Sequence, residues 1–154
     1  MIENSNIELV WILGAILVVC MLCCIVAVII KKKNTYRTMA IDNMDGHDFE
    51  HYCADILEKR GFLEVEVTKG SGDFGIDVLA EKDGITYAIQ CKCYRDAVGV
   101  KAVQEAYAGR DYYDRMVGVV LTNQYFTTPA VQAAKKLKIV LWDRGYLDSM
   151  LEEI

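Results

Sequence analysis

The chain has 154 residues, 53% of them hydrophobic, with 17 Lys and Arg against 22 Asp and Glu and a net charge of −5. That length allows one domain plus an appendage. The acidic balance excludes a passive basic binder of nucleic acid. From Thr38 onward 13 basic residues face 20 acidic ones, so a phosphate contact there needs a local basic patch or divalent cations.

The N-terminal third differs from the rest. Leu9 to Ile30, "LVWILGAILVVCMLCCIVAVII", is 22 residues without a charge. As a helix it would reach about 33 Å, enough for a hydrocarbon core of about 30 Å. No polar stripe interrupts it, which argues against a core helix. No basic start precedes it, which argues against a secretory signal. The run therefore predicts a transmembrane helix over 9–30, after a short extracytoplasmic tail over 1–8. Lys31, Lys32, Lys33 and Arg37 follow the run. By the positive-inside rule they put the C-terminal part in the cytoplasm, in a single-pass protein of the inner or cell membrane with the lipid bilayer as a partner. Residues 31–42 read as a basic juxtamembrane linker, and 43–154 as the domain. Cys53, Cys91 and Cys93 are then expected as free thiols, and "CKC" is no usual zinc spacing.

In the domain, a helix is expected to start near Asp45 as N-cap and end before Gly61, with Phe49, Cys53, Ile56 and Leu57 on one face. "FLEVEVT" (Phe62–Thr68) alternates as a half-exposed strand. "KGSG" is a loop. Strand two is expected over Phe74–Glu81 and strand three over Ile85–Cys93, joined by a short turn ending in Asp-Gly, so the two form an antiparallel hairpin. A helix follows over Val100–Tyr112, with Val103, Ala106 and Tyr107 as its apolar face. "MVGVVLT" (Met116–Thr122) reads as a central strand covered on both faces. A helix over Thr128–Leu137 has Pro129 at its first position. "IVLWD" is the last strand and "YLDSMLEEI" a closing helix. The order α-β-β-β-α-β-α-β-α predicts an α/β fold, a mixed sheet sandwiched by helices.

Alternation puts Gln90 and Lys92 on one face of strand three, with Ile89, Cys91 and Cys93 on the other. On strand two, Asp77 shares a face with Gly75 and Leu79, opposite Ile76, Val78 and Ala80. A hairpin can set Asp77 beside Gln90. An Asp carboxylate, a Gln amide oxygen and the Cys91 backbone carbonyl are hard donors of the kind Mg²⁺ takes. An adjacent ammonium, Lys92, suits an attacking water or a phosphate gathering negative charge. The same trio also reads as an ordinary cross-strand ion pair with Gln90 bonded beside it. Spacing alone leaves both readings open.

"DGHDFEHYCADILEKRGF", "VTKGSGDFGIDVLAEKDGITYAIQCKCY" and "GVVLTNQYFTTPAVQAAKKLKIVLWD" carry a resemblance. From about Asn43 to Met150 the chain resembles the Mrr-like branch of the PD-(D/E)xK nuclease superfamily, the type IV restriction endonuclease catalytic domain. The resemblance implies a restriction-endonuclease-like fold and a Mg²⁺- or Mn²⁺-dependent DNA endonuclease that restricts foreign or modified DNA. It implies Asp77, Gln90 and Lys92 as the nuclease centre, joined by Glu50 from the first helix of the domain. Asp77, Gln90 and the Cys91 carbonyl would be the metal donors. Asp73, Tyr94, Arg95 and Lys101 are candidates for supporting or DNA-contacting roles, although each also reads as a turn or surface residue. Cutting both strands would suit a homodimer. Gln90 stands where most of the superfamily has a carboxylate, which lowers the ligand charge. The alternative is a weak or inactive nuclease-fold module that binds DNA or a partner at the membrane.

Overall fold

A computed structural model of the chain describes the backbone of residues 2–69 and 74–152, and the side chains of residues 11, 13, 14, 16–32, 39–69 and 74–152. Two compact units divide it, Met1–Ala40 and Ile41–Ile154. One α-helix, α1, runs Ile2–Asp42 and takes in the whole apolar run. Among the described residues no helix is long and apolar enough to cross a membrane. That finding corrects the expected span over 9–30, the single-pass membrane location and the lipid partner. The run is not a separate element with polar coil on either side. It is part of a 41-residue helix that continues through Lys31, Lys32, Lys33 and Arg37, at 1.5 Å per residue about twice the length of a hydrocarbon core. Residues 31–42, read as a linker, are helical too.

The second unit is built on a five-stranded mixed sheet in the order β1-β2-β3-β4-β5, comprising β1 (Leu63–Val67), β2 (Val78–Lys82), β3 (Ile85–Lys92), β4 (Val117–Thr122) and β5 (Ile139–Trp142). The first two pairings are antiparallel and the last two parallel. Asp83 and Gly84 both have positive φ, 54° and 76°, and Lys82 pairs with Ile85 across them. This is the two-residue primed turn whose twist matches that of the strands, and Asp-Gly is its favoured sequence. The turn sets Val78 opposite Ile89.

Helices cover both faces. α2 (Gly46–Lys59) is capped by Asp45, whose side chain accepts from the Asp48 N–H at 2.8 Å. Its Phe49, Cys53, Ile56 and Leu57 are buried against Val78, Ala80, Ile89, Cys91, Val119 and Leu121. α5 (Arg144–Glu152) closes that layer with Leu147, Met150 and Leu151. On the other face, α3 (Val100–Tyr112) and α4 (Thr128–Leu137) pack Ala102, Val103, Ala106, Ala130 and Ala134 around Val120 and Ile139. α4 begins as its sequence requires, with Thr127 accepting from the Ala130 N–H and a proline in the first turn. Tyr107, expected on the buried face of α3, is exposed. The inward position there belongs to Gly109, which is buried.

β2 starts four residues later than its sequence suggests. Phe74 and Gly75 turn with φ of 49° and 80°, which ends the period-two alternation ahead of Val78. Ile76 therefore packs with Leu79 and Ala88 on the α3 side rather than opposite Asp77. It fills the space over Gly109, where a Cβ would lie 2.3 Å from its Cγ1.

One polar network ties the ends of the unit together. The Arg144 guanidinium donates to both Asp42 oxygens, at 2.7 and 3.3 Å, and to the Asn123 carbonyl at 2.7 Å. The Asn123 side chain donates to Asp42 and to the Tyr94 carbonyl and accepts from the Tyr94 N–H at 2.9 Å. The hydrogen bond from Arg144 holds the Asp42 carboxyl below the ordinary carboxylate value of 3.8, against the opposing effect of burial.

Two outcomes are expected. A carboxyl whose pKa is lowered by folding contributes stability that is present above the unfolded value and is lost as pH falls through the folded one. The urea midpoint should therefore drop as pH is lowered below 3.8, and Asp42→Asn should be less stable at pH 7 with a shallower acid dependence. Parallel pH curves for the two proteins would contradict this. Gly109→Ala should cost about 1–3 kcal/mol by overpacking Ile76, read from the same urea titrations.

Candidate functional site

The site lies where β2 and β3 meet the α3 layer. Asp77 immediately precedes β2 and continues its pairing, since its N–H donates to the Ile89 carbonyl at 2.9 Å and its own carbonyl accepts from the Thr68 N–H at 2.9 Å. The residue is 9% exposed. One carboxylate oxygen, Oδ2, accepts from the Cys91 N–H at 2.6 Å and from the Gln90 amide nitrogen. A buried carboxylate needs such donors, because an unpaired one would cost several kcal/mol. The structure thus brings Asp77 and Gln90 together as the hairpin register requires.

Gln90 is 2% exposed and sits at the centre of the sheet, paired with Val120 of β4. Its amide nitrogen also lies 3.4 Å from the Cys91 carbonyl. Its Oε1 is buried without a hydrogen-bond partner among the described residues. Such an orphaned acceptor costs about 1–3 kcal/mol. The NH₂ group thus occupies the space between the Asp77 carboxylate and the Cys91 carbonyl, the two oxygens expected to share a metal with Gln90. Turning the amide over would place Oε1 there as a third oxygen. These donors fit a hard divalent cation better than zinc, since they are oxygens from a carboxylate, an amide and a backbone carbonyl. Among the described residues no group of three or more His, Cys, Asp or Glu side chains is arranged to hold a metal, so the fit rests on the amide and the carbonyl.

Lys92 ends β3. Its carbonyl accepts from the Thr122 hydroxyl at 2.7 Å, which fastens the strand end to β4. Its ammonium lies 3.0 Å from Glu105 Oε2 of α3, so the ion pair is with the helix. Burial works against the ammonium, but the hydrogen bond and charge of Glu105 outweigh it and raise the Lys92 pKa above its ordinary value.

The other expected residues are placed as follows. Glu50 on α2 pairs with His47 at 3.3 Å. It is also within electrostatic reach of the Cys91 thiol, as is Asp77. That thiol is pushed well above its ordinary pKa, first by a hydrogen bond with Cys53, then by burial and the surrounding charges. Thiolate chemistry is thereby suppressed. All six cysteines are free. Lys101 is exposed and pairs with Glu105 at 3.6 Å. The Tyr94 backbone is held by Asn123, while its ring and Arg95 are exposed. Asp73 lies outside the described residues.

Glu105 is the residue that the sequence reading missed. Its only local signal is its position four residues after Lys101, which usually marks a solvated helix pair. Gly75 completes the surroundings. A Cβ there would lie 2.8 Å from Glu105 Cβ and 2.9 Å from Gln90 Oε1, and its φ of +80° suits glycine.

Comparisons with known proteins bear on the fold and the family. The fold is similar to that of a protein of unknown function, AF1548, at 26% identity and a TM-score of 0.59, over 71% of this chain and 66% of that one. It is also similar to the DNA modification-dependent restriction endonuclease AspBHI, at 18% identity and a TM-score of 0.64, over 79% of this chain and 35% of that one. A third similar structure is the MspJI restriction endonuclease in complex with a 27-mer oligonucleotide, at 18% identity and a TM-score of 0.53, over 75% of this chain and 29% of that one. The chain thus spans about a third of the length of the two restriction enzymes. No curated protein matches it. The restriction endonuclease family Mrr_cat matches residues 41–151, which is nearly the whole second unit, and the chain belongs to that family.

Proposed function

We propose that the second unit is a divalent-metal-dependent DNA endonuclease that hydrolyses phosphodiester bonds in the restriction of foreign or modified DNA. The observation that carries the reading is the convergence of a buried Asp77 carboxylate, the Gln90 amide with its orphaned Oε1, and the Cys91 backbone, with the Lys92 ammonium on the next same-face position of β3. An ordinary cross-strand ion pair would join Lys92 to Asp77 and leave no buried acceptor without a partner. Here Lys92 pairs with Glu105 of α3, and the Asp77 charge also acts on it. Membership in the restriction endonuclease family and a fold shared with two such enzymes support the same class of chemistry.

Charge gives a reason for a cation. Asp77 and Glu105 bring two carboxylates to this face of the sheet, balanced by the ammonium groups of Lys92 and Lys101. A DNA phosphate arriving there finds no surplus of positive charge and meets the negative field of a chain of net charge −5. Mg²⁺ or Mn²⁺ held by Asp77, Gln90 and the Cys91 carbonyl would offset that field and act as a Lewis acid on a phosphoryl oxygen. The protein's own residues do the remaining work. Asp77 organises the amide and the backbone N–H beside it. Lys92 supplies a fixed positive charge for the phosphate oxygens as negative charge builds on them. The Gln90 amide in place of a carboxylate favours a second reading, a fold that holds DNA without cutting it.

The test is nicking of supercoiled plasmid by the full chain with Mg²⁺ or Mn²⁺. Lys92→Ala and Asp77→Asn should each lower the rate by about 100-fold or more, with circular dichroism showing that both proteins remain folded. Equal rates in all three proteins would remove the assignment. Salt-sensitive duplex binding without cleavage under either metal would establish the second reading.

A further inference from the structure

We propose that Glu105 is the positioning residue of this site: its carboxylate anchors the Lys92 ammonium from α3 and so fixes the lysine's place beside Asp77 and Gln90. The inference rests on the nuclease reading above and names a residue of that site which neither the sequence motifs nor the family match assigns.

Three observations carry it. The Lys92–Glu105 pair is 3.0 Å long, with only 19% and 28% of the two side chains exposed, so it is better shielded than a surface pair. Glu105 cannot swing away easily, because its Cβ and Cγ pack against the Gly75 backbone, where a glycine Cβ would come within 2.8 and 3.2 Å of them. The same point on Gly75 would lie 2.9 Å from Gln90 Oε1, so one glycine is the floor under both the Gln90 amide and the Glu105 stem. The neighbours of Glu105 on α3, Ala102, Val103 and Ala106, are buried in the helix layer. The anchor is therefore attached to rigid structure rather than to a loop. A lysine has four flexible side-chain bonds and little intrinsic direction. Tying its tip to a packed helix removes the freedom that would otherwise be lost when DNA binds. Lys101, 3.6 Å from the other Glu105 oxygen, keeps that carboxylate from carrying an unbalanced charge.

The experiment uses the full chain with Glu105→Gln, which keeps the shape and loses the charge, and Glu105→Asp, which keeps the charge on a shorter stem. The first readout is independent of cleavage. The rate at which an amine-acetylating reagent modifies Lys92, followed by peptide mass spectrometry, should rise severalfold in Glu105→Gln and stay closer to wild type in Glu105→Asp. An unchanged rate in Glu105→Gln overturns the anchor, whether or not the protein cuts DNA. The second readout is a double-mutant cycle on plasmid nicking with Mg²⁺. Glu105→Gln should lower kcat about 10- to 100-fold with little change in KM. The same change made in Lys92→Ala should cause no further loss, because Glu105 acts through the lysine. Equal losses in both backgrounds, or no loss in either, overturn the positioning role. Absence of nicking by the wild-type protein under Mg²⁺ and Mn²⁺ overturns the nuclease reading instead, and the acetylation rates still decide the anchor.

Discussion

A buried carboxylate at the edge of a β-hairpin constrains everything around it. Asp77 lies one residue before β2, and its oxygen is satisfied by the Gln90 amide and the Cys91 N–H. Those donors reach it only if Asp77 stands opposite Gln90, and that register follows from the Asp83–Gly84 turn through the pairing of Val78 with Ile89. A slip of one residue would move Asp77 to the face of Val78 and Ala80, among the α2 side chains, with no donors waiting. The free energy of an unpaired buried charge therefore selects the same register as the apolar pattern does.

The parity of the sheet then divides the chemistry. Ile89 and Cys91 face α2, where they join Phe49, Cys53 and Leu57 in the larger core. Gln90 and Lys92 face α3, where the apolar clusters are smaller and built largely from alanine and valine. Small side chains on α3 let the helix come close to the sheet, and the glycine at 109 lets Ile76 sit beneath it. That close approach brings Glu105 within 3.0 Å of the Lys92 ammonium. Position in the fold, rather than any local motif, makes the pair.

Most of the second unit was legible because its signals are local. The Asp45 cap, the Asp-Gly turn, Pro129 and the alternation along β3 each act within a few residues, and each element appears close to where they place it. The Asp77–Gln90 pairing was legible for the same reason, being one hairpin away. Long-range partners were not. Asp42, Asn123 and Arg144 are 81 and 102 residues apart in sequence along their shared hydrogen bonds, and nothing near any of them signals the others. Ile76 was misplaced because two consecutive positive φ values at Phe74 and Gly75 break the strand period, and a bulky residue gives little warning of that conformation. The apolar run predicts a span from its uncharged length, its lack of a polar stripe and its basic flank, none of which says where the helix containing it ends. That helix continues to Asp42, at the border of the second unit.

The glutamine at position 90 has a physical rationale in the same geometry. A carboxylate there would bring two like charges into hydrogen-bond range inside the protein. One would have to take a proton or a cation for the site to persist. A neutral amide avoids that repulsion. Its NH₂ group donates to Asp77 and approaches the Cys91 carbonyl, so the carboxylate is satisfied by the protein alone. The cost appears at the other end of the amide, where Oε1 is buried beside Gly75 with no partner among the described residues. An amide cannot serve both sides at once, because its donor and acceptor ends are fixed 120° apart on one planar group. The unmet hydrogen-bonding capacity of the site is thus concentrated in one side chain. The same planar group turned over would fit the same volume and present Oε1 between the Asp77 carboxylate and the Cys91 carbonyl.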